Sequence, residues 1–210
     1  MKTTPEIARI HAHICGDGYV MIAKERRSPS DLLTHKRRKI EMTVWTMAYC
    51  NTSKELIKEF QDDMKIAFNR SGYYRRNKYE VRLRAAKHII KFLQLENKNS
   101  RNWVIPDFVL ESSDKIIKNW IRAFFDDEAT VDIKKRAIFV TSVNRNGLIQ
   151  VSNTLMKLGI NSKVNGPYYD AWRLCIRSNN TLEYSKKISF LHKEKLEKLN
   201  IIKMGRGGVS

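Results

Sequence analysis

The sequence predicts an α+β protein made of two pseudo-symmetric halves, each ordered helix–strand–strand–helix–strand–strand–helix. Two observations carry this reading. The stretches Ile10-His-Ala-His-Ile-Cys-Gly-Asp17-Gly18 and Ile121-Arg-Ala-Phe-Phe-Asp-Asp-Glu128-Ala129 share one register: apolar first and fifth, Ala third, acid eighth. Each also opens the same succession of patterns, down to a matching Arg-Leu step in the late hairpins, Arg82-Leu83 and Arg173-Leu174.

The elements follow in order. Thr4-Pro5-Glu6 starts a helix, with Thr as N-cap and Pro in the first turn, and Gly16-Asp17-Gly18 ends it after Cys15. Strands are expected at Tyr19–Ala23 and Ile40–Ala48, with a basic loop between them. Ser53-Lys-Glu-Leu opens a helix carrying Leu56, Ile57, Phe60, Met64 and Phe68 at helical spacing, broken at Ser71-Gly72. Tyr73–Tyr74 and Tyr79–Ala85 read as a hairpin around Arg76-Asn77-Lys78, and a helix over Ala86–Leu95 closes the first half. After a polar stretch without periodicity, Ser112-Ser113-Asp114 caps a helix running to about Asp127. A hairpin (Val131–Ile133, Ala137–Val143), a helix (Asn146–Leu158) stopped by Gly159, and a second hairpin (Pro167–Tyr169, Trp172–Ser178) come next. The last helix is expected over Leu182–Leu191, continuing through Lys193–Leu199. This divides the chain into halves at 1–98 and 112–204, a linker at 99–111 and a tail at 205–210.

Forty Lys and Arg stand against twenty-two Asp and Glu, a formal charge of +18. Such an excess leaves the fold undetermined but points to a polyanion partner, nucleic acid first. No apolar run approaches the roughly 18–20 residues that span a bilayer, so no membrane partner is expected. Cys15, Cys50 and Cys175 are odd in number and widely spaced, which implies reduced thiols rather than a disulfide framework, and an intracellular protein. His11 and Cys15 share a helical face, but no second ligand pair accompanies them, so structural zinc is set aside. Trp103, Trp120 and Trp172 read as core, and His88 and His192 as residues without chemistry.

The two acids remain. A carboxylate at a helix C-terminus faces the negative end of the dipole, costing about 0.3–1 kcal/mol. Accepting that cost twice, in one register, points to a cation held between the two ends. The nine-residue stretches resemble the signature helices of LAGLIDADG homing endonucleases, in the single-chain branch with two motifs. Residue by residue the match is confined to those stretches, while the repeated element order extends it over nearly the whole chain. Four positions depart from the pattern: Ala129 stands at the final Gly, Cys15 at a frequent Asp that Asp126 keeps, and His11 and His13 at small or apolar places.

The resemblance implies two central motif helices packed at a pseudo-twofold axis beneath antiparallel, saddle-shaped sheets. Ala8, Ala12 and Gly16 fall at successive turns and permit close approach. It implies Asp17 and Glu128 as the catalytic, metal-binding carboxylates, with the carbonyls of Gly16 and Asp127 as further ligands. Two or three divalent cations, Mg²⁺, would sit near the acids, and Lys24, Lys134 or Lys135 could stand beside them. The expected activity is site-specific cleavage of double-stranded DNA at a long asymmetric target, leaving short 3′ overhangs. A monomer suffices, since both acids lie on one chain, and without splicing-domain sequence at either end an intron-encoded protein is expected. Alternating strands give the DNA-facing candidates Arg82, Arg84, Arg173 and Arg177. Arg75, Arg76, Lys78, Arg136, Tyr168 and Tyr169 flank them, and Arg26, Arg37 and Arg38 are expected at phosphates. Two alternatives share the scaffold: an RNA maturase, with intron RNA as partner, and a DNA-binding protein without catalysis.

Overall fold

The computed structural model describes residues 2–27, 40–84 and 86–204, with side chains at all of these except 26, 27 and 40. Two four-stranded antiparallel sheets have identical topology, β1-β2-β4-β3 and β5-β6-β8-β7. The first half holds α1 (Pro5–Cys15), β1 (Gly18–Arg27), β2 (Ile40–Cys50), α2 (Lys54–Phe68), β3 (Tyr73–Arg75), β4 (Glu80–Arg84) and α3 (Lys87–Phe92). A one-turn helix, α4 (Asp107–Leu110), lies within the stretch read as linker. The second half follows with α5 (Asp114–Glu128), β5 (Ala129–Asp132), β6 (Ala137–Ser142), α6 (Arg145–Lys157), β7 (Lys163–Tyr168), β8 (Ala171–Arg177), α7 (Asn179–Lys187) and α8 (Lys193–Met204).

Local chemistry accounts for several boundaries. Thr4 Oγ accepts from Ile7 N at 3.4 Å and caps α1, and Ser53 Oγ does the same for Leu56 N in α2. Helix α2 ends earlier than the Ser71-Gly72 step predicts, because Asn69 takes the left-handed conformation (φ 50°) that Asn tolerates better than other side chains. Gly72 serves packing instead: a Cβ there would lie 2.4 Å from Val81 Cγ1. The single C-terminal helix predicted from the sequence is two, α7 and α8, with the chain between them turned to hydrogen-bond Asp126. Strand β7 begins at Lys163, before the predicted Pro167.

Helix α1 belongs to both cores. Ile7, Ile10 and Ile14 pack with Tyr49, Leu56, Phe60 and Met64, while Ala8 and Ala12 enter the core of Trp120, Phe124, Phe125 and Tyr184. The small-residue stripe therefore faces α5. Its last member, Gly16, is the tightest: a Cβ there would sit 2.8 Å from Asp127 Cβ and 2.9 Å from Asp127 Oδ2. Gly16→Ala is expected to destabilise the fold by about 1–3 kcal/mol through overpacking, read from chemical denaturation. The ninth motif position shows why one half needs glycine and the other does not. A Cβ at Gly18 would lie 2.5 Å from Ile14 Cα, whereas Ala129 passes straight from α5 into β5 in extended conformation.

Candidate active site

The C-termini of α1 and α5 bring Asp17 and Glu128 to one place. Asp17 is reached by solvent at the mouth of the crossing, and its Oδ2 accepts from Asn51 Nδ2 at 2.8 Å. Asn51 follows β2 directly and also donates to Asp127 Oδ1 at 3.3 Å. Partial loss of hydration, then the charge of Asp127, raises the Asp17 carboxyl to about 6. Glu128 is pushed to about 7 by burial, then by Asp17 and Asp127. Asp127 thus bears on both acids and Asp17 on Glu128, and ionising them together is costly unless a cation joins them.

The three acids in a row at 126–128 have three different environments. Asp126 is buried: its Oδ1 accepts from Leu191 N and His192 N, each at 2.9 Å, and its Oδ2 from Arg122 at 2.8 Å. It anchors the turn between α7 and α8. The Asp127 side chain is also fully buried, taking His13 Nδ1 at 2.9 Å and Tyr49 OH at 2.7 Å. Only Glu128 is left half-buried at the mouth.

His13, at the fourth place of the first motif, sits between Asp127 and Glu59, with Glu59 Oε2 3.4 Å from its Nε2. Burial alone would lower its pKa, but Asp127 and Glu59 override it and lift His13 to about 9, so the ring is an imidazolium. Burial alone would raise Glu59, yet His13 and Arg122 hold it near 2. Arg9 extends the network: it binds Asp63 through two bonds, at 2.8 and 2.5 Å, and Asn119 at 2.6 Å. Side chains of α1, α2 and α5 are thereby joined across the boundary between the halves. His11 is different. It accepts from Trp120 Nε1 at 3.1 Å, and burial drives its pKa to about 3, so it is neutral.

Lys195 of α8 supplies a positive charge that no motif announced. Its Nζ lies 3.2, 2.5 and 3.0 Å from the carbonyls of Phe125, Asp126 and Asp127, capping α5, and its charge offsets both Asp17 and Glu128. The Asp127 carbonyl expected at a metal already carries one donor, although a carbonyl oxygen has a second lone pair. Lys24 is misplaced for the same task. It stands roughly 20 Å along β1 from Asp17 at about 3.3 Å per residue, its side chain exposed and 3.6 Å from Glu41. Lys134 and Lys135 occupy the turn beyond β5, with Lys135 facing Asp132 at 3.6 Å.

The basic strands divide by half. Glu80, which shares its strand face with Arg82 and Arg84, is buried under its partners: Tyr19 OH at 3.0 Å, Arg82 at 2.9 Å and Arg75 at 3.3 Å. Arg84 pairs with Glu25. Arg76 and Lys78 lie in a 3₁₀ turn between β3 and β4, and Arg136 lies in the β5–β6 turn at φ 47°. In the second half Arg173 and Arg177 are exposed over the ring of Phe139, a residue the alternation argument passed over. Tyr168 and Tyr169 are exposed at the β7–β8 turn. Arg37, Arg38 and the side chain of Arg26 lie outside the described residues.

The donors suit a hard divalent cation: two crowded carboxylates and main-chain carbonyls where two helix dipoles add negative potential. Among the described residues no group of three or more His, Cys, Asp or Glu side chains is placed to hold an ion unaided. A cation here would complete its shell with phosphate and water oxygens, the habit of Mg²⁺ at phosphate-handling sites.

Comparison with known proteins agrees with the fold of two similar halves. Residues 115–189 match the family model of a LAGLIDADG-like domain. A search of curated protein sequences found no match. Among solved structures, I-DmoI in complex with DNA and Mn aligns over 88% of this chain and 96% of its own, with TM-score 0.60 and 15% identity. The I-LtrWI LAGLIDADG homing endonuclease bound to target DNA aligns over 98% and 92%, with TM-score 0.59 and 10% identity. Full-length DUF199/WhiA from Thermatoga maritima aligns over all of this chain but 64% of its own, with TM-score 0.56 and 12% identity. At such identities the shared property is the fold.

Proposed function

We infer that this chain, which carries a LAGLIDADG-like domain over residues 115–189 and the two-half fold of single-chain LAGLIDADG homing endonucleases, is a site-specific endonuclease of double-stranded DNA. The observation that carries the reading is the meeting of Asp17 and Glu128 at the ends of two packed helices, each raised by burial and by the other acids. A surface formally at +18 supports a polyanion substrate.

Each half, 1–98 and 112–204, contributes one acid, so a monomer holds the complete site. Asp17 and Glu128, with the carbonyls of Gly16 and Asp127, would hold divalent cations, Mg²⁺ in this reading. Bound there, such ions activate water and stabilise charge on the phosphate and leaving oxygen. Asn51 fixes the orientation of Asp17, and Asp127, itself held by His13 and Tyr49, fixes Asn51 in turn. Lys195 limits the negative charge at the end of α5 and keeps it tolerable before DNA arrives. The sheets would lie in the major groove, with cuts across the minor groove leaving short 3′ overhangs. The site of action would be intracellular, wherever the host DNA is.

Randomised duplexes incubated with the protein, sorted into bound and cut fractions with Mg²⁺ or with EDTA, test the reading. The expected result is cutting at one long asymmetric sequence, lost in EDTA while binding remains. Tight duplex binding without cutting would instead mark a non-catalytic DNA-binding protein. Preference for structured RNA over every duplex would mark a maturase.

A further inference from the structure

The two sheets carry their arginines in opposite states. Register places Arg82 beside Ala48 and Tyr73, and Arg84 beside Thr46, on one face of the first sheet. Both are committed within the protein. Arg82 Nε lies 2.9 Å from Glu80 and its second terminal nitrogen donates to Tyr19 OH at 2.7 Å, while Arg84 pairs with Glu25. Arg75 adds a further contact to Glu80 at 3.3 Å. To read a base, these guanidinium groups would have to leave carboxylates, one of them buried.

In the second sheet, register puts Arg173 and Arg177 on one face with Phe139, Thr141, Lys163 and Asn165. Among the described residues neither arginine has a carboxylate partner. The Arg173 guanidinium lies over Phe139 at 5.6 Å and Tyr168 at 5.4 Å, and that of Arg177 over Phe139 at 5.7 Å. Arg177 Nε donates to the buried Cys175 sulfur at 2.9 Å, which restrains an otherwise exposed side chain and leaves its terminal nitrogens uncommitted to that bond. A cavity of about 570 Å³ opens beside them, lined among others by Lys163, Asn165, Tyr168 and Arg177. A cation–π contact restrains a guanidinium without using up its N–H donors. The fork stays free for the O6 and N7 acceptors of guanine, which it matches bidentately.

We infer that Arg173 and Arg177, and not Arg82 and Arg84, are the strand arginines that specify guanine, so that this form of readout falls in one half of the target. The inference rests on the nuclease reading only in requiring that the sheets meet a duplex. Charge-conserving variants test it. Arg173→Lys, Arg177→Lys, Arg82→Lys and Arg84→Lys are each used to select duplexes from a randomised pool without divalent cation, and base preference is scored position by position. Arg173→Lys and Arg177→Lys are expected to lose guanine preference roughly tenfold at positions on one side of the centre. Their salt dependence of binding should stay that of the wild type, because the charge is kept. Arg82→Lys and Arg84→Lys should leave the profile unchanged. Loss of guanine preference in the Arg82 or Arg84 variants, or an unchanged profile in both Arg173 and Arg177 variants, overturns the assignment. Failure of the wild type to bind any duplex overturns the nuclease reading, and this assignment with it.

Discussion

Asp17→Asn and Glu128→Gln, made singly, are each expected to slow DNA cleavage about a thousandfold or more while leaving DNA affinity equal or higher. A thousandfold corresponds to about 4 kcal/mol of transition-state stabilisation, the scale that a metal-binding carboxylate commands. Affinity should not fall, because each change removes a negative charge from a surface that meets a polyanion. Nor should the fold suffer. Both carboxyls are held above their ordinary range by burial and by neighbouring acids, so a neutral amide of the same shape relieves strain rather than creating it. Single-turnover cleavage, binding in EDTA and thermal unfolding separate the three statements. A variant that cuts at the wild-type rate would remove its acid from the chemistry.

The second large effect concerns stability. His13→Ala is expected to cost about 3–5 kcal/mol, because it leaves the buried Asp127 carboxylate without its cation. It also removes a ring that packs on Tyr49 at 4.6 Å and Phe60 at 6.1 Å. Domains of this size are stable by only about 5–15 kcal/mol, so the loss should be plain in a denaturant titration. Adding Asp127→Ala should restore part of it, since the stranded charge goes as well. Strict additivity of the two changes would mean that the imidazolium and the carboxylate do not act as a pair.

These effects fall on residues that the sequence presented very unequally. Asp17 and Glu128 stood out because their shared register is local and repeated, and the two motif helices were bounded almost to the residue. Helix spacing likewise exposed Leu56, Phe60 and Met64, and the Ala8–Ala12–Gly16 stripe, all of which the structure buries or packs tightly. What escaped is long-range. Asn51 and Lys195 reach the site through β2 and α8, and nothing in their immediate neighbours announces a distant carboxylate. The inward turn of the Asp126 and Asp127 side chains escaped too, because a sequence does not show which of three adjacent acids turns inward. The signal that could have found them was His13, a cation candidate placed where the motif wants a small or apolar residue. Alternation found the faces of β4 and β8 but not their pairing. Glu80 lies on the face of Arg82 and Arg84, yet Tyr19, Arg75 and Arg82 cover it.

The two halves each bring one acid, and as an endonuclease the chain would use them as a pair, one for each strand. Mapping the ends left on both strands of a selected target, in Mg²⁺, tests this most directly. One cut per strand is expected, at a fixed offset giving a short 3′ overhang, with both cuts suppressed by either acid variant. A target nicked on one strand only, or scattered ends that ignore Asp17→Asn and Glu128→Gln, would contradict it.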